Sequence, residues 1–179
     1  ELSDQDIKYH FDASLESDRN RSPKILHSKG EYVNKVFNFI LSNSYMHPHL
    51  HPGSEKIEKM HLIYGSFALI TFDDFGEVIE TNILEKDKNE FVAVPAFSWH
   101  TYVMLSEKVI VYEEMDGVYD PLSWKEMAPW APKENTKEAV KYLESLKKLD
   151  DSLIPLSLLN ADYLFIIIHP EKKIVLPVY

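Results

Sequence analysis

The chain has 179 residues, enough for one domain with a sizeable core and short for two. Its 45% hydrophobic and 27% charged residues are those of a soluble globular protein, and 12% aromatics favour a β-dominated core. A formal net charge of −10 argues against a nucleic-acid backbone or an anionic membrane as partner, because both need a basic face. With no cysteine there is no disulfide and no thiol nucleophile, and any metal site must be built from His and carboxylates. The first residues, ELSDQDIKYH, lack a signal-peptide pattern, and the longest apolar run, YLFIII (163–168), is far too short to span a bilayer. A cytoplasmic location is the expectation.

In chain order, 3–16 predicts a short helix: Ser3 and Asp6 have capping-box spacing, and Ile7, Phe11 and Leu15 repeat at four. SDRNRSP (17–23) ends it. From about 33 to 115 the texture is that of short strands. VFNFILS places Phe37, Phe39 and Leu41 on one face, and MHLIYGSFALITF runs through a DDFG turn (73–76) into EVIET. FVAVP (91–95), WHTYVML (99–105) and KVIVYEEM (108–115) follow. Short strands with turns every ten or so residues predict a sandwich or barrel rather than βαβ units. DPLSWKEMAPWAPKE (120–134) reads as a surface wrap. Asn135 with Glu138 caps a second helix over 136–149, with Ala139, Tyr142 or Leu143, Leu146 and Leu149 as its buried stripe. The tail, YLFIIIHPEKKIVLPVY, reads as two strands around a turn.

Five of the eight histidines lie between 47 and 100. In HPHLHP (47–52), alternation on a strand puts His47, His49 and His51 on one face. In IEKMHLIYG, an inward Glu58 carries Met60, Leu62 and Tyr64 inward and turns His61 out. His100 opens a strand that carries Tyr102 and Met104 inward. Three imidazoles and one carboxylate from adjacent strands can surround one divalent ion and leave a position or two open. Zinc, iron, manganese and nickel all accept such ligands.

His49-x-His51, Glu58 and Gly65 resemble the first cupin motif, and Pro95-x-x-x-x-His100 resembles the second. The resemblance implies an all-β dominated fold: a double-stranded β-helix, the cupin jelly-roll barrel. An N-terminal helix and a C-terminal helix plus β extension would be added to it. It implies His49, His51, Glu58 and His100 as metal ligands. The spacing from His51 to Glu58 is longer than in the motif, which makes Glu55 a rival. Phe97 and Met104 stand where the second motif carries glycine and asparagine. A longer, ordered set of stretches (SDRNRSPKILH, SYMHPHLHP, FDDFGEV, VPAFSWHTYVML, EEMDGVYDP and APWAPKE) resembles the WbuC-type cupin metalloproteins over about residues 10–135. Genes of that subfamily accompany bacterial surface-polysaccharide clusters. On this reading 1–32 form a helical arm, 33–118 the barrel and 119–179 an extension packed on it, in one domain.

Other residues carry two readings each. Arg19 and Arg21 are the only arginines; they form either a clamp for an anionic substrate or ion pairs holding the arm to the barrel. Tyr64 and His27 join them as candidate substrate contacts, and Tyr102, His47 and His27 are candidates for a general base. Tyr102 and Tyr64 are equally ordinary core, and Trp99, Trp124 and Trp130 packing anchors. EEMD (113–116) reads as a solvated strand end, and His10, His61 and His169 as surface or packing residues. The function expected is a metal-dependent enzyme on a small polar, carbohydrate-derived substrate, an anionic sugar derivative among them, by isomerase or epimerase chemistry. A non-catalytic sugar-binding or regulatory module, an iron dioxygenase and a purely structural cupin are the alternatives. The assembly expected is a homodimer, for which the YLFIII strand is the candidate interface.

Overall fold

The computed structural model describes residues 2–151. The strands expected in 163–179, and the dimer interface read into them, lie outside that range. Helix α1 (Asp4–Glu16) starts where Ser3 predicts. Its hydroxyl accepts from Asp6 N–H at 3.1 Å, and its own N–H donates to Asp6 Oδ2 at 3.1 Å. Phe11 is buried, but Leu15 is 65% exposed and Ser14 takes the inner place. A true helical period of 3.6 residues drifts away from a strict repeat of four, so 7, 11 and 14 share the face. The Ser14 hydroxyl donates to the Phe39 carbonyl at 2.9 Å, which removes the cost of burying it.

The segment that ends α1 re-enters the fold as a strand. Asn20 takes a left-handed backbone (φ 53), and β1 (Arg21–Ile25) pairs antiparallel with β2 (Val33–Leu41). Pro23 is tolerated there because β1 is an edge strand, where a missing N–H costs no ladder bond. Further along come β3 (His49–Leu50), β4 (Glu58–Tyr64), β5 (Ser66–Phe72), β6 (Val78–Glu85), β7 (Phe91–Val94), β8 (Trp99–Met104), β9 (Lys108–Asp116) and β10 (Glu126–Met127). They form two five-stranded antiparallel sheets, ordered β1-β2-β9-β4-β7 and β10-β3-β8-β5-β6. Two sheets with these long crossovers make the jelly roll that the motifs imply.

Between the sheets Ile40, Met60, Leu62, Phe67, Leu69, Val109 and Val111 form the barrel core. Phe39 and Leu41 face the opposite way and are covered by Phe11 of α1. Helix α2 (Lys137–Asp151) covers the outer face of the second sheet, with Ala139, Leu143 and Leu146 against Ile70, Phe72 and Val103. Its cap is Thr136, whose Oγ1 accepts from Ala139 N–H at 3.1 Å; Asn135, the expected cap, instead takes φ 61 and makes the turn. Strand β8 is therefore covered on both sides and buried along its whole length. Trp130 does act as a packing anchor: its ring lies on Phe72 and closes over Gly76, where a Cβ would come within 2.7 Å of it. Among the described residues no helix is long and apolar enough to cross a membrane.

Gly65 joins β4 to β5 with φ +85, and a Cβ there would stand 2.4 Å from the Lys108 carbonyl oxygen. Backbone strain and a contact with immovable main chain add together. Gly65→Ala is expected to cost about 2–3 kcal/mol, read as a lower urea midpoint at unchanged slope. An unchanged midpoint would refute the role assigned to this glycine.

Candidate metal centre

The inner end of the barrel is where the two sheets meet around polar side chains. β3 and β8 pair with His49 directly opposite His100, and His51 follows β3 by one residue. Glu58 enters from the other sheet as the first residue of β4. Their ligand atoms all lie within 4.8 Å of one another, and all four residues are buried. His100 is 0% exposed and Glu58 5%. Glu55, the rival carboxylate, is exposed.

Each imidazole is held from behind by a main-chain carbonyl. His49 Nδ1 donates to His47 O at 2.9 Å, His51 Nδ1 to Trp124 O at 2.8 Å and His100 Nδ1 to Ser98 O at 2.9 Å. That arrangement fixes the orientation of the rings and points three Nε2 atoms inward, as in ligating histidines. His100 Nε2 reaches Glu58 Oε2 at 2.9 Å. His51 Nε2 stands 3.4 Å from the same oxygen and, though buried, makes no hydrogen bond. A buried acceptor without a partner is costly unless something else binds it, and a divalent cation fits this donor set. Burial works to raise the Glu58 carboxyl, but His100 at hydrogen-bond distance and the His51 ring beside it outweigh that and hold it well below the carboxylate range. Burial, with His100 beside it, keeps the His49 ring well below the ordinary imidazole value.

A cavity of about 130 Å³ opens onto this cluster. Its wall includes Arg19, Arg21, Asn38, Tyr102, Glu113, Trp124 and Lys125. Glu113 corrects the expectation of a solvated strand end. Val109 and Val111 are fully buried, so period two along β9 carries Glu113 and Met115 inward as well. Tyr102 donates its hydroxyl to Glu113 Oε1 at 2.8 Å, and Asn38 bonds the same carboxyl. Burial, reinforced by the nearby Glu58 charge, pushes the Glu113 carboxyl up to about 7. Burial, then Glu113, pushes the Tyr102 phenol well above its usual value, so it keeps its proton and serves as a donor rather than a base.

The remaining expected site residues are placed as follows. His47 is buried, but its Nε2 donates to the Ala128 carbonyl at 3.0 Å and lies outside the cavity wall, which removes it as a base. Tyr64 is 56% exposed, because the register between β4 and β9 slips between Leu62 and Tyr64 and turns it out. His27 lies at the far end of β1, where its Nδ1 accepts from Lys35 N–H at 3.0 Å. Arg21 is buried and tied down: it donates to Glu134 Oε1 at 2.5 Å, to Tyr45 O at 3.0 Å and to Ser44 Oγ at 3.2 Å. Arg19 pairs with the same carboxylate at 3.5 Å. Both arginines line the cavity, yet their charges hold the start of β1 to the segment before α2. Phe97, standing where the motif carries glycine, adopts the left-handed backbone (φ 62) that a glycine would take, and its N–H donates to His51 O.

Lys125 had no signature in the sequence. Two residues of β10 pair with β3, and the same register carried one step further sets Lys125 opposite His51. It lines the cavity half-buried, where desolvation lowers its pKa while Glu58 and Glu113 oppose that.

A family described as a domain of unknown function (DUF6016) matches residues 2–84, less than half of the chain. No curated protein matches the sequence. Among solved structures, a protein from Shewanella oneidensis superposes with a TM-score of 0.54 at 13% identity, over 71% of this chain and 84% of that one. The capsular polysaccharide assembling protein CapF from Staphylococcus aureus superposes with a TM-score of 0.54 at 18% identity, over 62% of this chain. That match spans only 32% of CapF's own length. At these identities the likeness establishes the fold, and the four converging side chains carry the metal site.

Proposed function

From a cupin barrel with a buried three-histidine, one-carboxylate centre, we propose a metal-dependent enzyme. It would move a proton on a small, polar, carbohydrate-derived substrate in the cytoplasm, as an isomerase or epimerase does. The observation that carries this is Glu113, a carboxyl raised to about 7 that shares the cavity with the metal cluster. A group that transfers protons in both directions works best with a pKa near the working pH. Glu113 would take the proton from carbon and return it. Tyr102 and Asn38 orient its carboxyl through their hydrogen bonds, and Trp124 contributes to the same cavity wall. His49, His51, Glu58 and His100 would hold a divalent ion, which when bound supplies Lewis-acid polarisation of a carbonyl or hydroxyl oxygen.

The substrate class rests on the sequence resemblance to WbuC-type cupins and their polysaccharide gene clusters; CapF, described as assembling capsular polysaccharide, shares the fold. A non-catalytic sugar-binding module would need no proton-transfer group beside its metal centre. The test is proton exchange. Metal-loaded protein in deuterium oxide is incubated with small aldoses, ketoses and uronates, and deuterium uptake beside the carbonyl is followed by NMR. Exchange with at least one of them is expected, falling about 10²–10⁴-fold in Glu113→Gln. No exchange with any of them, or exchange indifferent to Glu113, would sink this reading.

A further inference from the structure

The charged groups on the cavity wall do not balance one another evenly. Arg21 and Arg19 are both engaged by Glu134, at 2.5 and 3.5 Å. Glu113 is engaged by Tyr102, and Glu58 by His100. Lys125 alone has neither a hydrogen bond nor an ion pair among the described residues, and it stands half-buried in the wall of the same cavity. A lysine ammonium carries three donors, and here all three are free to meet a ligand without breaking a contact inside the protein. It sits across from His51, on the β10 side of the opening, while Glu113 comes from the opposite sheet. A molecule occupying the cavity therefore meets the metal cluster, a proton-transfer carboxyl and one unpaired cation at once.

We propose that Lys125 reads a carboxylate on the substrate, and that the site takes a small hydroxy acid or the acid end of a sugar acid. The inference rests on the metal-dependent reading above and names its substrate class. Size sets the first limit: a cavity of about 130 Å³ is on the scale of one that holds a benzene ring, about six non-hydrogen atoms. A carboxylate with its neighbouring carbon and hydroxyl fits inside; the rest of a sugar chain would project out of the cavity. Charge sets the second limit. Beyond the metal cluster the wall offers Lys125 as an unpaired cation and Glu113 as a neighbouring carboxyl, so a single carboxylate suits it better than a dianion. Arg21 does not perform this role, because its guanidinium is committed to Glu134, Tyr45 O and Ser44 Oγ, and Arg19 is drawn outward to Glu134 with its side chain more than half exposed.

The test uses calorimetric titration of the whole chain, metal-loaded and metal-stripped, with glycolate, its uncharged analogue glycolamide, and inorganic phosphate. Metal content is measured on every sample. The parent is expected to bind glycolate at least about tenfold more tightly than glycolamide or phosphate, as one charge-assisted contact provides. Lys125→Met should erase that preference at unchanged metal content and unchanged near-ultraviolet dichroism, and Lys125→Arg should restore most of it. A preference that survives in Lys125→Met, absence of any preference in the parent, or tighter binding of phosphate would each overturn the proposal. A parent that takes up no metal yet shows a Lys125-dependent glycolate preference would support the anion reading and end the metal-dependent one. Metal uptake with no preference for glycolate would do the reverse.

Discussion

Replacing His49 and His100 together by alanine is expected to empty the metal centre. Parent protein purified without chelator should carry close to one equivalent of a divalent transition metal, and the variant under about a tenth of that. The expectation follows from convergence: the two rings face each other across the β3–β8 pair, and each presents an Nε2 whose Nδ1 is fixed by a carbonyl. Removing both leaves one imidazole and one carboxylate, too few to hold an ion against exchange with water. The energetic consequence is large, because an ion that binds only the folded chain stabilises it. At free metal a thousandfold above the dissociation constant the gain is about 4 kcal/mol. For a chain of this length that is about 8–16 °C in melting temperature. The shift between chelator and added metal is the quantity to compare, since the alanines also leave cavities that lower stability by themselves. The parent should show the shift and the variant none. A parent whose melting is indifferent to zinc, manganese, iron(II) and nickel would refute the metal centre outright, and the element found would separate redox iron from a Lewis-acid metal.

The second large effect concerns pH and Glu113. A carboxyl raised to about 7 in the folded chain titrates near 4.3 when unfolded, so between those values the folded state holds the extra proton. Stability from this group is present at low pH and is lost as pH rises through about 7. The loss is of the order of 3 kcal/mol between pH 5 and 8. Glu58 adds nothing in that window, because its carboxyl is held below the usual range and is ionised in both states. His49 contributes the opposite slope below its ordinary value, since burial keeps it neutral where the unfolded ring would be charged. That contribution is common to parent and variant. The difference between metal-stripped parent and Glu113→Gln therefore isolates Glu113. By urea denaturation the variant should gain on the parent by about 2–3 kcal/mol from pH 5 to pH 8, while glutamine still accepts from Tyr102. Parallel profiles would show that Glu113 titrates as an ordinary surface carboxyl, and the proton-transfer role would go with it.

Some of this centre is legible one strand at a time. Alternation in HPHLHP selects His49 and His51 for one face, and the strand parity beginning at Glu58 carries Met60 and Leu62 inward with it. Glu113 was equally legible: KVIVYEEM alternates, and with Val109 and Val111 inside, Glu113 follows them. The charge at that position masked the pattern. Tyr64 shows the limit of the same rule, because a register slip, which no local spacing announces, flips every later side chain. His47 shows another limit. Its parity matches that of His49, yet the Ala128 carbonyl, eighty-one residues away, captures its ring.

The sequence by itself determined what short-range periodicity can encode: a β-barrel with a capped helix before it, histidines on shared faces, and a chain without thiols. Those features depend on each residue's neighbours along the chain, where backbone geometry sets the period. The tertiary structure alone decided which faces meet. It chose Glu58 over Glu55 and committed both arginines to Glu134. It also brought Lys125 to the cavity through a strand of two residues. These pairings join segments tens of residues apart, and burial and register across the sheets, not local spacing, select among the alternatives.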